Sequence, residues 1–193
     1  MQEQFNNISN SLIFLREVIA KRLKIFFQKE PDEFSYPELK LIPDDSPLNH
    51  FLITHQPNIE EYIILLLALV PHVQPNFIDS IVQSYLPNGG EFPEIGGVKG
   101  NNHRSTIPTG ETALFLLTGN DLHQRMQASW YFSSDHFFAK ENILHLEGLQ
   151  DGEPRMSGKI VLQNDYVELF TTGIVSRPSF GPDFPAKNIQ TKI

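Results

Sequence analysis

Cysteine is absent from this chain of 193 residues. Its absence excludes disulfide bonds, thiolate metal ligands and a thiol nucleophile. A chain without disulfides is typical of a reducing compartment, where such bonds do not persist. The length suits one large domain or two small ones, and the 40% apolar content is enough for a packed core.

Long hydrophobic runs are also missing. The first residues, MQEQFNNISNS, are polar and lack the basic and apolar regions of a secretory signal. The longest apolar run covers residues 62–70, far short of the roughly 20 residues that a membrane span needs. We therefore predict a cytoplasmic protein with no membrane partner.

Basic residues are scarce. The chain has 15 Lys and Arg against 23 Asp and Glu, a formal net charge of -8, and residues 41–98 contain no Lys or Arg. Nucleic acids and anionic membranes are bound by cationic surfaces. The charge therefore disfavours both as partners, and we expect a protein partner instead.

Familiar catalytic motifs do not occur either. None of the seven histidines forms HExxH, and neither GxxxxGK[ST] nor GxSxG is present. The glycine-rich segment 96–100 contains Lys99, but no Ser or Thr follows that lysine and no clear strand precedes the segment. We predict no catalytic, cofactor-binding or metal-binding residue. A small enzyme of unrecognised type stays an alternative, and it would need a closed polar pocket.

Helical patterns dominate the first two thirds of the chain. Apolar residues in steps of three and four predict a long first helix, which either packs at a domain edge or pairs in an oligomer. Asn58, Thr109 and Asp121 are predicted helix caps, and Pro71 and Gly119 are predicted stops. The predicted helices cover residues 6–28, 47–54, 59–70, 76–86, 110–118 and 122–132.

The last third changes character. Residues 142–147 and 158–163 predict two short strands joined by a turn-rich connector. Asn164 or Asp165 is predicted to cap a short helix that runs through Phe170. Helices followed by a two-stranded β-hairpin are the plan of a winged helix, a mainly α (α+β) fold. We predict an N-terminal helix and connector over 1–45, a winged-helix-like domain over 46–173, and a linker over 174–193.

The segment 87–110 is predicted to be a long loop rich in glycine and proline. Loops of this length inside a domain are usually functional or disordered. The loop either packs on its own domain or docks a partner. For the docking alternative, the candidate partner-binding residues are the apolar and basic side chains Phe92, Ile95, Lys99, His103 and Arg104.

Several runs resemble the N-terminal region of a class of bacterial AAA ATPases, over about residues 46–173. The run IEEYIILLLALVPHVQPNFIDSIVQSYL is similar to the first helix pair of that region, with matches at Glu61, at residues 65–69 and at Pro71. The runs FFAKENILHLE and GKIVLQNDYVELFTTG resemble its wing strands and closing helix. The run EFPEIGGVKGNNHRSTIPTGETALFLLTGND resembles the version found in gene clusters of contractile injection systems.

The resemblance implies a winged-helix-like domain that precedes a hexameric ATPase module. The motifs of that module are not in this chain, so we expect the linker to lead toward it, and we expect ATP, magnesium and oligomerisation to belong to it. The first hypothesis is a non-catalytic adaptor. The alternative is a winged-helix DNA-binding regulator, but its recognition helix over 110–118 has no Lys or Arg, and its wing offers only Arg155 and Lys159.

Overall fold

The computed structural model describes residues 4–28 and 34–174. All of the predicted linker except Ile174 lies outside these residues. The helices are α1 (Gln4–Gln28), α2 (Pro47–His55), α3 (Ile59–Val73), α4 (Phe77–Gln83), α5 (Gly110–Thr118), α6 (Leu122–Ala128), α7 (Phe137–Lys140) and α8 (Asn164–Thr172), and the strands are β1 (Leu144–Glu147) and β2 (Lys159–Leu162). Short 3-10 turns cover Pro93–Ile95, Ser129–Phe132 and Arg155–Ser157. The predicted class, mainly helical with a β-hairpin wing, is confirmed.

Helix α3 lies at the centre of the fold. Its residues 62–70 are all buried, because α1, α5, α8 and β2 pack around it. The predicted cap is confirmed: the Asn58 side chain accepts from the Glu61 N–H at 2.8 Å, and the Glu61 carboxylate accepts from the Asn58 N–H at 2.7 Å. A helix that is apolar on every side is expected in the interior of a domain.

Several predicted helix ends were wrong. Helix α3 continues through Pro71 to Val73 because a proline in the last turn removes only one N–H, and the Gln74 N–H still bonds to the Val70 carbonyl at 2.9 Å. Helix α4 ends at Gln83 rather than at residue 86, and the helix predicted over 122–132 changes to a 3-10 turn after Ala128. Helix α7 was not predicted.

Helix α1 belongs to the same core as the later helices. It contacts α2, α3, α4 and α5, and Leu15, Ile19 and Leu23 on its inner face are fully buried. Arg22 reaches from α1 to the end of α5, where its Nε and Nη2 donate to the carbonyls of Leu116 and Leu117, each at 3.0 Å. The first helix therefore closes the core of the domain over 46–173.

The predicted connector is irregular in its described part, residues 34–45, but it packs on the helices. The Asn7 side chain donates to the Ile42 carbonyl and to the Asp44 carboxylate, both at 2.7 Å, and accepts from the Ile42 N–H at 2.8 Å. These bonds tie the connector to α1. Irregular backbone is stable in such a place because its polar groups find side-chain partners.

Strands β1 and β2 pair antiparallel, with Leu144 opposite Leu162 and Leu146 opposite Ile160. The chain segment before α5 lies on the other side of β2, because the Ile160 N–H bonds to the Pro108 carbonyl at 2.9 Å and the Gly110 N–H bonds to the Gly158 carbonyl at 3.0 Å. Strand β2 is therefore covered on both edges. The hairpin leans on the helices through β2 and α3, as an isolated two-stranded sheet must.

Candidate functional site

The loop 87–110 is ordered along its length. It forms a 3-10 turn at Pro93–Ile95 and then a small hairpin, in which Val98 and Ile107 exchange backbone bonds of 3.0 and 2.7 Å. The Gly100 N–H closes the tip of the hairpin on the His103 carbonyl at 2.9 Å. The backbone groups of the loop bond to each other, which favours the alternative that the loop packs on its own domain.

Helix α4 holds one side of this loop hairpin. The Asp79 carboxylate accepts from the Thr106 N–H at 2.9 Å and from the Thr106 hydroxyl at 2.5 Å, and the Ser105 hydroxyl donates to the Asn76 side chain at 2.5 Å. Charge-assisted bonds of this kind are about twice as strong as neutral ones. Asp79 and Thr106 were missed from the sequence because they lie 27 residues apart and carry no local signal.

Helix α5 holds the other side of the loop. The Thr109 hydroxyl donates to the Gly96 carbonyl and also accepts from the Thr112 N–H, so the predicted cap of α5 doubles as a clamp on the loop. Gly96 lies so close to α5 that a Cβ there would be 2.4 Å from the Glu111 Cβ. The glycine is required both by this approach and by its backbone φ of +73°.

An open groove of about 1030 Å³ lies between α4 and the loop. Its walls carry Asp79, Glu91, Glu111, Lys99 and Arg104. Asp79 is bonded to the loop, and Glu111 is paired with Arg125. The groove therefore combines apolar lining with charged residues of both signs, three acidic and two basic.

The five sequence-predicted partner-binding residues divide into two groups. Ile95 is 5% exposed and lies in the core, so its assignment to a docking surface is corrected: the 3-10 turn directs it inward. Phe92 is half-buried, and its ring packs against Phe26 and Phe115 with centroids 5.1 and 5.7 Å away. These two apolar residues fasten the loop to the domain.

The basic members lie farther out. Lys99 and Arg104 are exposed, and the Lys99 ammonium has only a long contact of 3.9 Å with Glu91. No other described residue bonds to the Arg104 guanidinium. His103 is half-buried, and no described group pairs with its Nε2. Burial lowers the pKa of His72, and the neighbouring His103 lowers it further.

The densest group of titratable side chains lies elsewhere, at the start of α3. Tyr131 donates to Glu60, and the His136 Nε2 lies 3.0 Å from Glu61. The His136 Nδ1 accepts from the Phe138 N–H at 3.2 Å, which makes Nε2 the protonated nitrogen and the donor to Glu61. Burial raises the pKa of Tyr131 to about 12.

This cluster is a set of helix caps. Glu61 caps α3, His136 caps α7, and each imidazole nitrogen already has a partner. Neither the groove beside the loop nor a smaller cavity of about 270 Å³ beside β1 is lined by Glu60, Glu61 or His136. Tyr131 is the member of the cluster that lines the smaller cavity.

Helix α5 does not offer a DNA-reading face. Gly110 and residues 112–117 are buried, which leaves only Glu111 and Thr118 partly exposed. A recognition helix needs an exposed face with cations. The burial of α5 therefore disfavours the alternative function, a DNA-binding regulator that uses α5 as its recognition helix.

In residues 4–28 and 34–174, no group of three or more His, Asp or Glu side chains is placed to hold a metal ion. No single helix of these residues has the length and apolar character to cross a membrane. Helices α3 and α4 together meet the length and composition, but they are bent by 101°.

Comparison with known proteins adds no relative. No family model, no curated protein and no solved structure matches the chain. The resemblance to the N-terminal region of AAA ATPases therefore stays a prediction.

Proposed function

We propose that this chain is a non-catalytic, cytoplasmic adaptor, the N-terminal partner-binding domain of a AAA-type ATPase. In this role the domain binds a protein partner, while a separate ATPase module binds ATP and magnesium and forms the oligomer. The single observation that carries the adaptor role is the rigid groove beside the loop. Residues on α4 and α5 fasten the loop from both sides, and Lys99 and Arg104 stand at its rim.

Rigidity supports binding because a surface that is already ordered loses little conformational entropy when a partner arrives. The two bonds from Thr106 to Asp79 and the packing of Phe92 hold the groove in one shape. A flexible loop would have to be ordered at the cost of affinity. The geometry is therefore better suited to recognition than a mobile loop would be.

Charge gives the groove a preferred partner chemistry. Lys99 and Arg104 are exposed cations next to a stretch, residues 41–98, that has no Lys or Arg. An acidic segment of a partner is attracted to these two cations and repelled by the groove carboxylates of Asp79, Glu91 and Glu111. Electrostatic complementarity of this kind sets orientation and association rate more than affinity.

A pair of double variants tests the proposed site. Lys99→Ala with Arg104→Ala removes the two rim cations, and Lys40→Ala with Lys140→Ala removes two exposed cations elsewhere. Both doubles change the net charge equally and leave the core intact. We expect quantitative affinity purification from cells to lose a partner only with the first double. Equal recovery of every partner with both doubles would refute the groove as the binding site.

Phe92 is unsuitable for this test. Its ring contacts Phe26, Phe27 and Phe115, so truncation would disturb the core and confuse loss of binding with loss of folding.

The ATPase part of the proposal has its own test in the reading frame downstream of Ile193. A GxxxxGK[ST] motif there supports the proposal, and a frame without one removes the ATPase assignment.

A further inference from the structure

The outer edge of strand β1 makes no backbone hydrogen bond with a described residue. Backbone bonds in an antiparallel pair alternate, and the Gln163 N–H bonds to the Ile143 carbonyl at 2.9 Å. His145 and Glu147 therefore bond to β2, whereas Leu144 and Leu146 direct their N–H and C=O groups away from it. The bond from the Ile160 N–H to the Pro108 carbonyl supports this alternation. Ile160 lies opposite Leu146, and its N–H likewise points away from the paired strand.

These outward backbone groups have no hydrogen-bond partner among the described residues. Leu144 is 2% exposed, so its groups are also largely shielded from bulk water. A buried N–H or C=O that lacks a partner costs about as much free energy as a lost hydrogen bond. A strand that paired with Leu144 and Leu146 would remove this cost.

The smaller cavity, of about 270 Å³, lies directly along this edge. Leu144 and Leu146 line it from the strand, and Phe132 and Phe138 line it from the neighbouring turn and from α7. Leu149, which is 40% exposed, stands at its mouth. Cofactor and drug-sized sites usually have volumes of about 300 to 1,000 Å³. A cavity at or below this limit suits one large apolar side chain better than a cofactor.

Arg155 is the only Lys, Arg, Asp or Glu among the residues that line this cavity. Its Nη2 donates to the Phe132 carbonyl, and no described residue accepts from its other nitrogens. A guanidinium in this position pairs best with a carboxylate, which it can bind with two parallel bonds. The charge of the cavity therefore selects an occupant with a carboxylate next to its apolar side chain.

We propose that the outer edge of β1 is a second binding site, which takes an extended peptide segment of a partner protein as an added strand. The added strand pairs with Leu144 and Leu146, places a large apolar side chain in the cavity, and presents a carboxylate to Arg155. Strand addition derives its affinity from main-chain bonds and its specificity from side-chain pockets. Both elements are present here, and the site is independent of the groove beside the loop.

Selection from a displayed random-peptide library tests the proposal. Peptides displayed internally and peptides with a free carboxyl terminus form two arms, which distinguish an Asp or Glu side chain from a terminal carboxylate. We expect enrichment of a large apolar residue with a carboxylate on the same face of the strand, either two positions away or at the terminus. Absence of such enrichment in both arms overturns the proposal.

Site variants then locate the selected peptide. Arg155→Gln should weaken its binding about tenfold or more, since a charge-assisted bond is lost, and Arg155→Lys should weaken it less. Arg104→Gln is the matched control, because it removes one exposed cation from the other groove. Thermal unfolding of each variant checks that the fold is retained. Equal affinity of wild type and Arg155→Gln for the peptide overturns the role of the cavity.

Hydrogen exchange of the unmodified chain gives a test that needs no variant. The selected peptide should slow exchange of the Leu144 and Leu146 amides and leave the His145 amide, which already bonds to β2, unchanged. Unchanged exchange at Leu144 and Leu146 would place the peptide elsewhere. If a second copy of the chain covers this edge in solution, exchange at both amides slows with protein concentration alone, and that result also overturns the proposal.

Discussion

Arg22 offers the sharpest test of how this fold is held together. It is 8% exposed, donates to the Leu116 and Leu117 carbonyls at 3.0 Å, and lies 3.7 Å from the ring centroid of Phe34. The two carbonyls belong to the last turn of α5, where no intrahelical donor remains. We predict that Arg22→Met, which keeps the volume and removes the donors, destabilises the fold.

The expected magnitude follows from these contacts. Two bonds from a charged donor contribute about 1.5 kcal/mol each at the low end of their range, and the contact with Phe34 about 1 kcal/mol. The substitution also removes the free-energy cost of burying a cation, which offsets part of this loss. That cost is evident because burial lowers the pKa of Arg22 to about 10 and so disfavours its charged form. The net loss should be about 3 kcal/mol.

Thermal unfolding followed by circular dichroism measures this loss. For a domain of this size about 3 kcal/mol lowers Tm by roughly 6–12 °C. Lys24→Met on the exposed side of α1 is the matched control and should stay within about 0.5 kcal/mol of wild type. A loss below about 1 kcal/mol in Arg22→Met would refute the view that this arginine joins α1 to α5.

Three further predictions concern titration and the loop. Burial raises the pKa of Tyr62 to about 12, so its neutral side chain contributes about 2–3 kcal/mol to the free energy of unfolding. This contribution is complete below pH 10 and is lost as the pH rises toward 12. Urea unfolding at increasing pH should show the decline in stability, and the decline should be smaller in Tyr62→Phe. Gly96→Ala should cost about 2 kcal/mol more than Gly89→Ala in the same assay, because both have positive φ but only Gly96 meets Glu111. Asp79→Ala should leave the domain folded and speed hydrogen exchange in the loop hairpin.

Each of these has a contrary outcome. An equal alkaline decline in wild type and Tyr62→Phe would assign it to other groups. Equal unfolding free energies for the two glycine variants would show that the loop can move away from α5. Unchanged exchange in Asp79→Ala would show that the packing of Phe92 and Ile95 alone orders the loop.

Local signals in the sequence predicted most of the helices and the hairpin. Asn58, Thr109 and Asp121 cap α3, α5 and α6 as expected, because a cap is decided within three or four residues. The cap expected at residue 164 or 165 was one or two residues late, since α8 begins at Asn164 and its N-cap is Gln163. Helix caps and turns can be predicted from one sequence because they depend on residues close together in the chain.

Contacts between distant residues were not predictable in the same way. Phe92 and Ile95 were assigned to a docking surface because a glycine-rich loop carries no periodicity that tells inside from outside. Their inward direction depends on a clamp between Thr109 and Gly96 and on α1 packing beside them. The role of Asp79 likewise depends on a partner 27 residues away.

The bonds between Arg22 and α5 join residues 94 and 95 positions apart. During synthesis α1 can pack on α2, α3 and α4 as they emerge, but its contact with α5 cannot form until residues near 117 have left the ribosome. Attachment of α1 to α5 is therefore a late, non-local step, and mixed domains with such distant contacts fold more slowly than bundles of sequential helices.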